Sequence, residues 1–349
     1  MKTSDFDYKL PEALIADQPP TERGTSRLLV LDNQTGDIED KHYSDVVNYL
    51  QAGDVVILND TKVIPARLKV TKKDSGVERE LMLLEKHGNH DDWHEHKVMY
   101  RRHLSAGDVL IAEDGSELQV VEVLGDGLAI IKSDADLLEV AARVGAVPLP
   151  PYMHRDATPA DTERYQTVWA RDAGSVAAPT ASLNMTDAMI ATMQAKGIVV
   201  SYATLHVGIG TFMPIRTDIL TEHEMHKEYF EVPLETVTAI QIAKQSGHKV
   251  LAVGTTITRT LEFAAAQILD QPPKALSGEA DIFMYPGYQF KLVDMLLTNY
   301  HAPRSTVLML AAAFAGWDHL KVAYEHAVAE KYHFLSYGDS MLIYNKKST

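Results

Sequence analysis

Cysteine is absent from the 349 residues, which excludes a disulfide framework, an iron-sulfur cluster, a cysteine zinc site and a thiol nucleophile. Long hydrophobic runs are also missing. The longest, Thr306 to Trp317, falls well short of the roughly 20 residues that span a bilayer and suits a buried helix. Basic residues are in deficit, 33 Lys plus Arg against 48 Asp plus Glu, for a formal charge of -15. Such a chain repels a polyphosphate as a whole, so any nucleic-acid role needs a local basic face. Residues Met1 to Leu10 carry Asp5 and Asp7 amid aromatics instead of a basic start and an apolar stretch, which predicts a cytoplasmic protein without an export signal or membrane partner.

What is present is ordinary globular composition: 46% hydrophobic and 23% charged residues, outside the disordered, collagen-like and coiled-coil ranges. At roughly 150 residues per domain the length favours two domains. From about Val63 to Lys132, short apolar runs (Leu81 to Leu84, Val109 to Ile111, Leu118 to Leu124, Leu128 to Ile131) alternate with Gly88-Asn89, Asp114-Gly115 and Asp126-Gly127. Hairpins without helices predict a small antiparallel barrel or sandwich. A short helix over Ala135 to Val144 then leads into Pro148-Leu149-Pro150-Pro151-Tyr152, a stiff extended connector.

Around this block the pattern is α/β. A strand is predicted at Asp54 to Leu58; beyond Tyr165, helices over Thr186 to Lys196, Leu234 to Ser246, Ile257 to Leu269, Ser305 to Phe314 and Trp317 to Lys331 alternate with strands. The strands are Ile198 to Leu205, Lys249 to Val253, Asp281 to Met284, Met295 to Leu297 and Met341 to Tyr344. The hairpin block between two stretches of another pattern predicts a β-rich insert, residues 62–150, barrel or sandwich, with residues 1–61 and 151–349 joining into one larger mixed α/β domain.

Ligands of open α/β sheets bind beyond the carboxyl ends of the strands, so the junctions after each strand are the candidate site. They are His206 to Phe212, with Gly208, Gly210 and Thr211; Gly254-Thr255-Thr256, opening a helix that carries Arg259; Tyr285-Pro286-Gly287-Tyr288; Thr298 to Ser305, with Asn299 and His301; and Tyr337-Gly338-Asp339. The turn at Gly254 can offer backbone N–H groups to a carboxylate or phosphate, or can be a plain strand-to-helix cap. Gly208 and Gly210 lack the third glycine and the helix of a dinucleotide fingerprint. His223, Glu224 and His226 lack the helical spacing of two zinc-binding imidazoles, and His87, His90, His94 and His96 with Asp91 and Asp92 read as a solvated hairpin tip. No metal site is expected.

Residues 61–104 hold ten Lys plus Arg against seven acids, so Lys62, Arg67, Arg101 and Arg102 are candidate RNA contacts. A mixed barrel surface explains the same composition.

In order and spacing, a set of motifs then resembles the S-adenosylmethionine:tRNA ribosyltransferase-isomerase family of the queuosine pathway. They include Phe6-Asp7-Tyr8, Ser26 to Val30, Asn59 to Leu68, Pro148 to Tyr152, Arg164 to Val168, Val176 to Ala181, Thr204 to Phe212, Gly254 to Thr256, Tyr285 to Gly287, Thr298 to His301 and Ser336 to Met341. Lys62 stands where the family usually has Arg and keeps the charge without the planar fork. Ser182, Asn184 and Met185 replace the usual Gly, His and Phe, and His333 replaces an Arg.

The resemblance implies transfer and isomerisation of the ribosyl part of S-adenosylmethionine onto 7-aminomethyl-7-deazaguanine at the tRNA wobble position, with release of adenine and methionine and formation of epoxyqueuosine. It implies a larger mixed α/β domain built from both chain ends with a small antiparallel β-barrel inserted, S-adenosylmethionine as co-substrate, tRNA as partner and no metal or redox cofactor; a monomer is expected. Such chemistry asks for a base against the acidified C5′ proton, for which His301 and His206 are candidates, with Asp294 as a third catalytic candidate. Gly254 to Thr256 or Arg259 suits the methionine carboxylate, and Phe212 or Tyr285 suits adenine or the sulfonium. Two competing readings are a non-catalytic RNA-binding relative with a decayed pocket and an α/β enzyme acting on a small phosphorylated substrate.

Overall fold

A computed structural model describes residues 1–88, 92–208, 210 and 215–345. The Gly88-Asn89 turn, His90, Asp91, Thr211 and Phe212 therefore lie wholly or partly outside the described residues.

In chain order the strands are β1 (Arg27–Asp32), β2 (Ile38–His42), β3 (Val55–Asn59), β4 (Thr61–Val63), β5 (Arg67–Lys72), β6 (Glu78–Leu83), β7 (Glu95–Arg101), β8 (Val109–Ala112), β9 (Glu117–Gly125), β10 (Leu128–Lys132), β11 (Asp172–Ser175), β12 (Val199–Leu205), β13 (Glu228–Val232), β14 (Val250–Val253), β15 (Leu276–Ala280), β16 (Met295–Asn299) and β17 (Ser340–Tyr344). The helices are α1 (Leu137–Val144), α2 (Pro159–Arg164), α3 (Asp187–Ala195), α4 (Leu234–Gln245), α5 (Thr255–Phe263), α6 (Ala265–Asp270), α7 (Thr306–Ala315) and α8 (Trp317–Ala329).

Strand residues of alternating parity divide the large sheet into two apolar faces. Val55 and Ile57 of β3 join the core under α4 to α8, while Val56 and Leu58 join the core with α3 and the turn Tyr43–Tyr49. Covered on both faces, the central strands β3 and β14 are buried throughout. The sheet runs β15-β13-β12-β3-β14-β16-β17-β1-β2, so it draws strands from before and after the barrel. Its centre is parallel: β12, β3, β14 and β16 run the same way and present their carboxyl ends together.

The β-rich block closes into a six-stranded barrel, β10-β7-β6-β5-β8-β9. Its antiparallel pairings agree with the expectation from the Asp-Gly turns. Leu68 and Val70, Leu81 and Leu83, and Ala129 and Ile131 point inward at period 2, and Leu137, Val140 and Ala141 of α1 pack onto this core. The chain enters by β4 and returns by β11, which pair in parallel.

Three sequence expectations fail, the first being the single helix over Ile257 to Leu269, which breaks at Ala264 into α5 and α6. Asp281 to Met284 is not a strand; the edge strand is Leu276–Ala280, whose Ser-Gly-Glu interior carries little β signal but pairs with β13. The prolines before Tyr152 end in a short 3-10 turn at Pro151–Met153, with Pro at its first position where no N–H is needed.

Candidate active site

Asn59, fully buried at the end of β3, joins three strand ends. Its side-chain oxygen accepts from the N–H groups of Thr61 (3.0 Å) and Leu205 (3.2 Å), and its amide donates to Leu205 O (3.0 Å) and Thr256 Oγ1 (3.3 Å). Beside it, β14 stops at Gly254, where φ is +94°, a conformation that favours glycine. There the chain turns into α5. Gly254 N–H reaches back to Leu297 O on β16 (2.8 Å), and among the described residues no side chain caps the helix. The first-turn N–H groups of Thr255 and Thr256 are thus placed to meet an anion.

These elements surround a cavity of about 290 Å³ lined by Gly254 to Thr256, Thr298 to Pro303, Ala177 to Ala181, Pro151, Tyr152, Val207, Ser305, Val307, Leu335 and Ser336. Thr180 Oγ1 donates to Asn299 Oδ1 (2.9 Å), and the Tyr152 and Ser336 hydroxyls are hydrogen-bonded across the cavity wall. Among the described lining residues none is Asp, Glu, Lys or Arg. His301 carries the basic atom of this wall. Its Nε2 lies 2.9 Å from Thr298 Oγ1, and burial holds its pKa down to about 3.

Of the residues singled out from sequence, the structure therefore brings His301, Asn299, Gly254, Thr255 and Thr256 together. It separates others. His206 faces a second cavity, of about 270 Å³, with Lys86, Arg171, Asp172 and Glu231; its Nδ1 lies 2.8 Å from Thr61 Oγ1. The alternation of the chain sends Val207 to one cavity and His206 to the other. Burial first, then Lys86 and His87, bring its pKa down to about 4.

Asp294 precedes β16 at the far end of the sheet, paired with Lys244 (2.9 Å) and accepting from Val250 N (2.8 Å). Arg259 lies behind the Gly254 turn in a buried ion pair with Glu228, whose other oxygen accepts from Gly208 N (2.9 Å). Arg259 lines a small adjoining cavity of about 20 Å³. Tyr285 packs on Phe283, ring centroids 5.3 Å apart. Asp339 accepts from the N–H groups of Arg27 (2.7 Å) and His333 (2.8 Å) and so pins two segments of main chain. Gly208 and Gly210 are close-approach points: a Cβ on Gly208 would lie 2.5 Å from Glu85, and one on Gly210 would collide with the His226 ring.

The departures at 182, 184 and 185 lie behind the cavity. Met185 is fully buried in the core with α3, and Ser182 and Asn184 are buried without lining the cavity. Sequence reasoning missed Thr180, Tyr152 and Ser336 as site residues. The signal was present, since each lies in a motif already noted, 176–181, 148–152 and 336–341.

The candidate RNA contacts divide. Arg101 and Arg102 share a depression on the barrel with Lys69 and Arg79, and with Glu78, Glu80 and Glu113. Arg67 sits 3.9 Å from both Glu80 and Asp156. Exposed Lys62 is on β4, outside the barrel ladder.

The two depressed histidine pKa values have a folding consequence. Between the ordinary value of 6.5 and the folded values, the unfolded chain binds protons that the folded chain does not, so stability is full above that window and falls as pH drops through it. Urea unfolding should show a lower midpoint at pH 5 than at pH 7, and His206→Asn should narrow the gap. An unchanged gap would locate the acid sensitivity elsewhere.

Comparison with known proteins agrees with this architecture. The chain is 52% identical over 346 residues to the S-adenosylmethionine:tRNA ribosyltransferase-isomerase of Chlorobium chlorochromatii, covering 98% of this chain and 100% of that one. Its Halothermothrix orenii counterpart is 46% identical over 348 residues, with the same coverage. The crystal structure of S-adenosylmethionine tRNA ribosyltransferase from Thermotoga maritima superposes with a TM-score of 0.56 at 33% identity, covering 97% of this chain and 99% of that one. The profile of the queuosine biosynthesis proteins matches residues 3–343, and the chain belongs to that family.

Proposed function

We propose that this chain transfers the ribosyl group of S-adenosylmethionine to the aminomethyl group of 7-aminomethyl-7-deazaguanine in tRNA and isomerises it, releasing adenine and methionine and forming epoxyqueuosine. The observation that carries this reading is the cavity at the carboxyl ends of β14 and β16, whose lining combines a helix start with a histidine that burial keeps neutral. The sulfonium acidifies the neighbouring C5′–H, so a base that is unprotonated at neutral pH and within reach of it can begin the reaction. His301 is the base in this reading. The N–H groups at Thr255 and Thr256 hold the methionine carboxylate, and no metal or redox cofactor takes part. The protein works as a cytoplasmic monomer.

Adenine release from S-adenosylmethionine that depends on precursor tRNA tests this function. Release without such dependence, or none with intact tRNA binding, would sink it, the latter in favour of a non-catalytic RNA-binding protein.

On the same reading, tRNA lies across the barrel depression at Arg101 and Arg102. Replacing both by Gln should weaken tRNA binding and lower the log-log salt slope by about 0.7 to 0.9 for each phosphate no longer neutralised. Unchanged affinity and slope in a filter-binding titration would move the RNA face elsewhere.

A further inference from the structure

We infer that Nδ1 is the atom of His301 that takes the proton, and that Thr298 is the positioning residue that fixes this by holding Nε2. The inference rests on the ribosyltransferase reading for its chemistry and on the geometry of one turn for its atoms.

Thr298 is buried near the end of β16, and the next turn brings the His301 ring back to it, with Nε2 2.9 Å from Oγ1. The main chain of His301 is held on both sides. Its N–H donates to the Tyr324 hydroxyl (2.9 Å), and its carbonyl accepts from the Tyr8 hydroxyl. These two tyrosines, from opposite ends of the sequence, meet edge to face with ring centroids 5.1 Å apart. With its backbone and one ring nitrogen committed, the side chain has one nitrogen left for a ligand. Nδ1 forms no hydrogen bond among the described residues, and His301 lines the cavity.

Thr298 can donate to Nε2 or accept from it, because a hydroxyl does both. Only the second arrangement leaves a lone pair on Nδ1. It also suits the protonated ring: the imidazolium keeps its Nε2–H on the Thr298 oxygen, so no buried donor is stranded. In the step itself the C5′–H bond breaks, an Nδ1–H bond forms, and the electron pair stays on C5′ beside the sulfonium. The depressed pKa of the ring agrees with a neutral imidazole waiting at Nδ1.

The tautomer can be read directly. In protein labelled with 15N-histidine, long-range proton-nitrogen spectra of the resting enzyme, assigned with His301→Gln, should show protonated Nε2 and unprotonated Nδ1; the opposite pattern overturns the inference. Thr298→Val should lower kcat about 10-fold to 100-fold, the range for partners that orient a histidine, with KM for S-adenosylmethionine unchanged. Thr298→Ser should restore kcat. Parent kcat in Thr298→Val, or no rescue by Ser, counts against the positioning role. A parent enzyme that releases no adenine overturns the ribosyltransferase reading alone, because the resting spectrum decides the tautomer without turnover.

Discussion

His301→Ala should lose about 100-fold to 10,000-fold in turnover, the range contributed by a positioned general base, while still binding S-adenosylmethionine and tRNA. Exchange of the C5′ hydrogen into solvent should fall in parallel. The contrast is with His206→Ala. That ring lies in the other cavity, hydrogen-bonded to Thr61, so its loss should leave turnover within about tenfold, below the usual effect of a catalytic base. Single-turnover measurements of adenine release on both variants separate the two. A large loss in His206→Ala with His301→Ala near the parent would reverse the assignment and move the chemistry to the barrel side of β12.

Glu228→Ala should destabilise the fold by about 3 to 5 kcal/mol, the cost of leaving a buried charge uncompensated. Glu228 and Arg259 are both buried and face each other between β13 and α5. Removing the carboxylate also strips the acceptor from Gly208 N. The pair itself has no such value, because two charges brought out of water repay little of their hydration. Replacing both with apolar residues of similar size, Glu228→Leu with Arg259→Met, should recover most of the loss. Urea unfolding of the single and double variants measures this directly, and a single variant as stable as the parent would show that the Arg259 cation is satisfied by the His226 and Ala280 carbonyls alone.

Much of the architecture was legible because its signals are local. Asp-Gly pairs mark the barrel hairpins, and an apolar run ending in Gly254-Thr255-Thr256 marks β14 and the start of α5. Edge strands were harder. Leu276–Ala280 is held by the ladder with β13 and not by its own residues, whereas Asp281 to Met284 has the better composition and no partner strand among the described residues. The site was legible only as a set of strand ends. His206 and His301 both follow strands, and nothing local says that the side-chain alternation at the end of β12 sends one of them away from the cavity. Asp294 precedes its strand, at the end opposite the cavity. Arg259 reads from sequence as a candidate partner for the methionine carboxylate near a helix start; its buried partner is 31 residues earlier in the chain.

The amide of Asn59 has a consequence for which sequences this fold can tolerate. Its oxygen and nitrogen pair with both polar groups of Leu205 as a neighbouring peptide would, extending the ladder past the last backbone pair of β3 and β12, Ala203 with Asn59. Aspartate keeps the acceptor and loses the donor; glutamine has both but is one methylene too long; alanine strands buried groups on Leu205 and Thr61 at about 1 to 3 kcal/mol each. A saturation library at this codon, selected for folded protein, should collapse to a single amino acid.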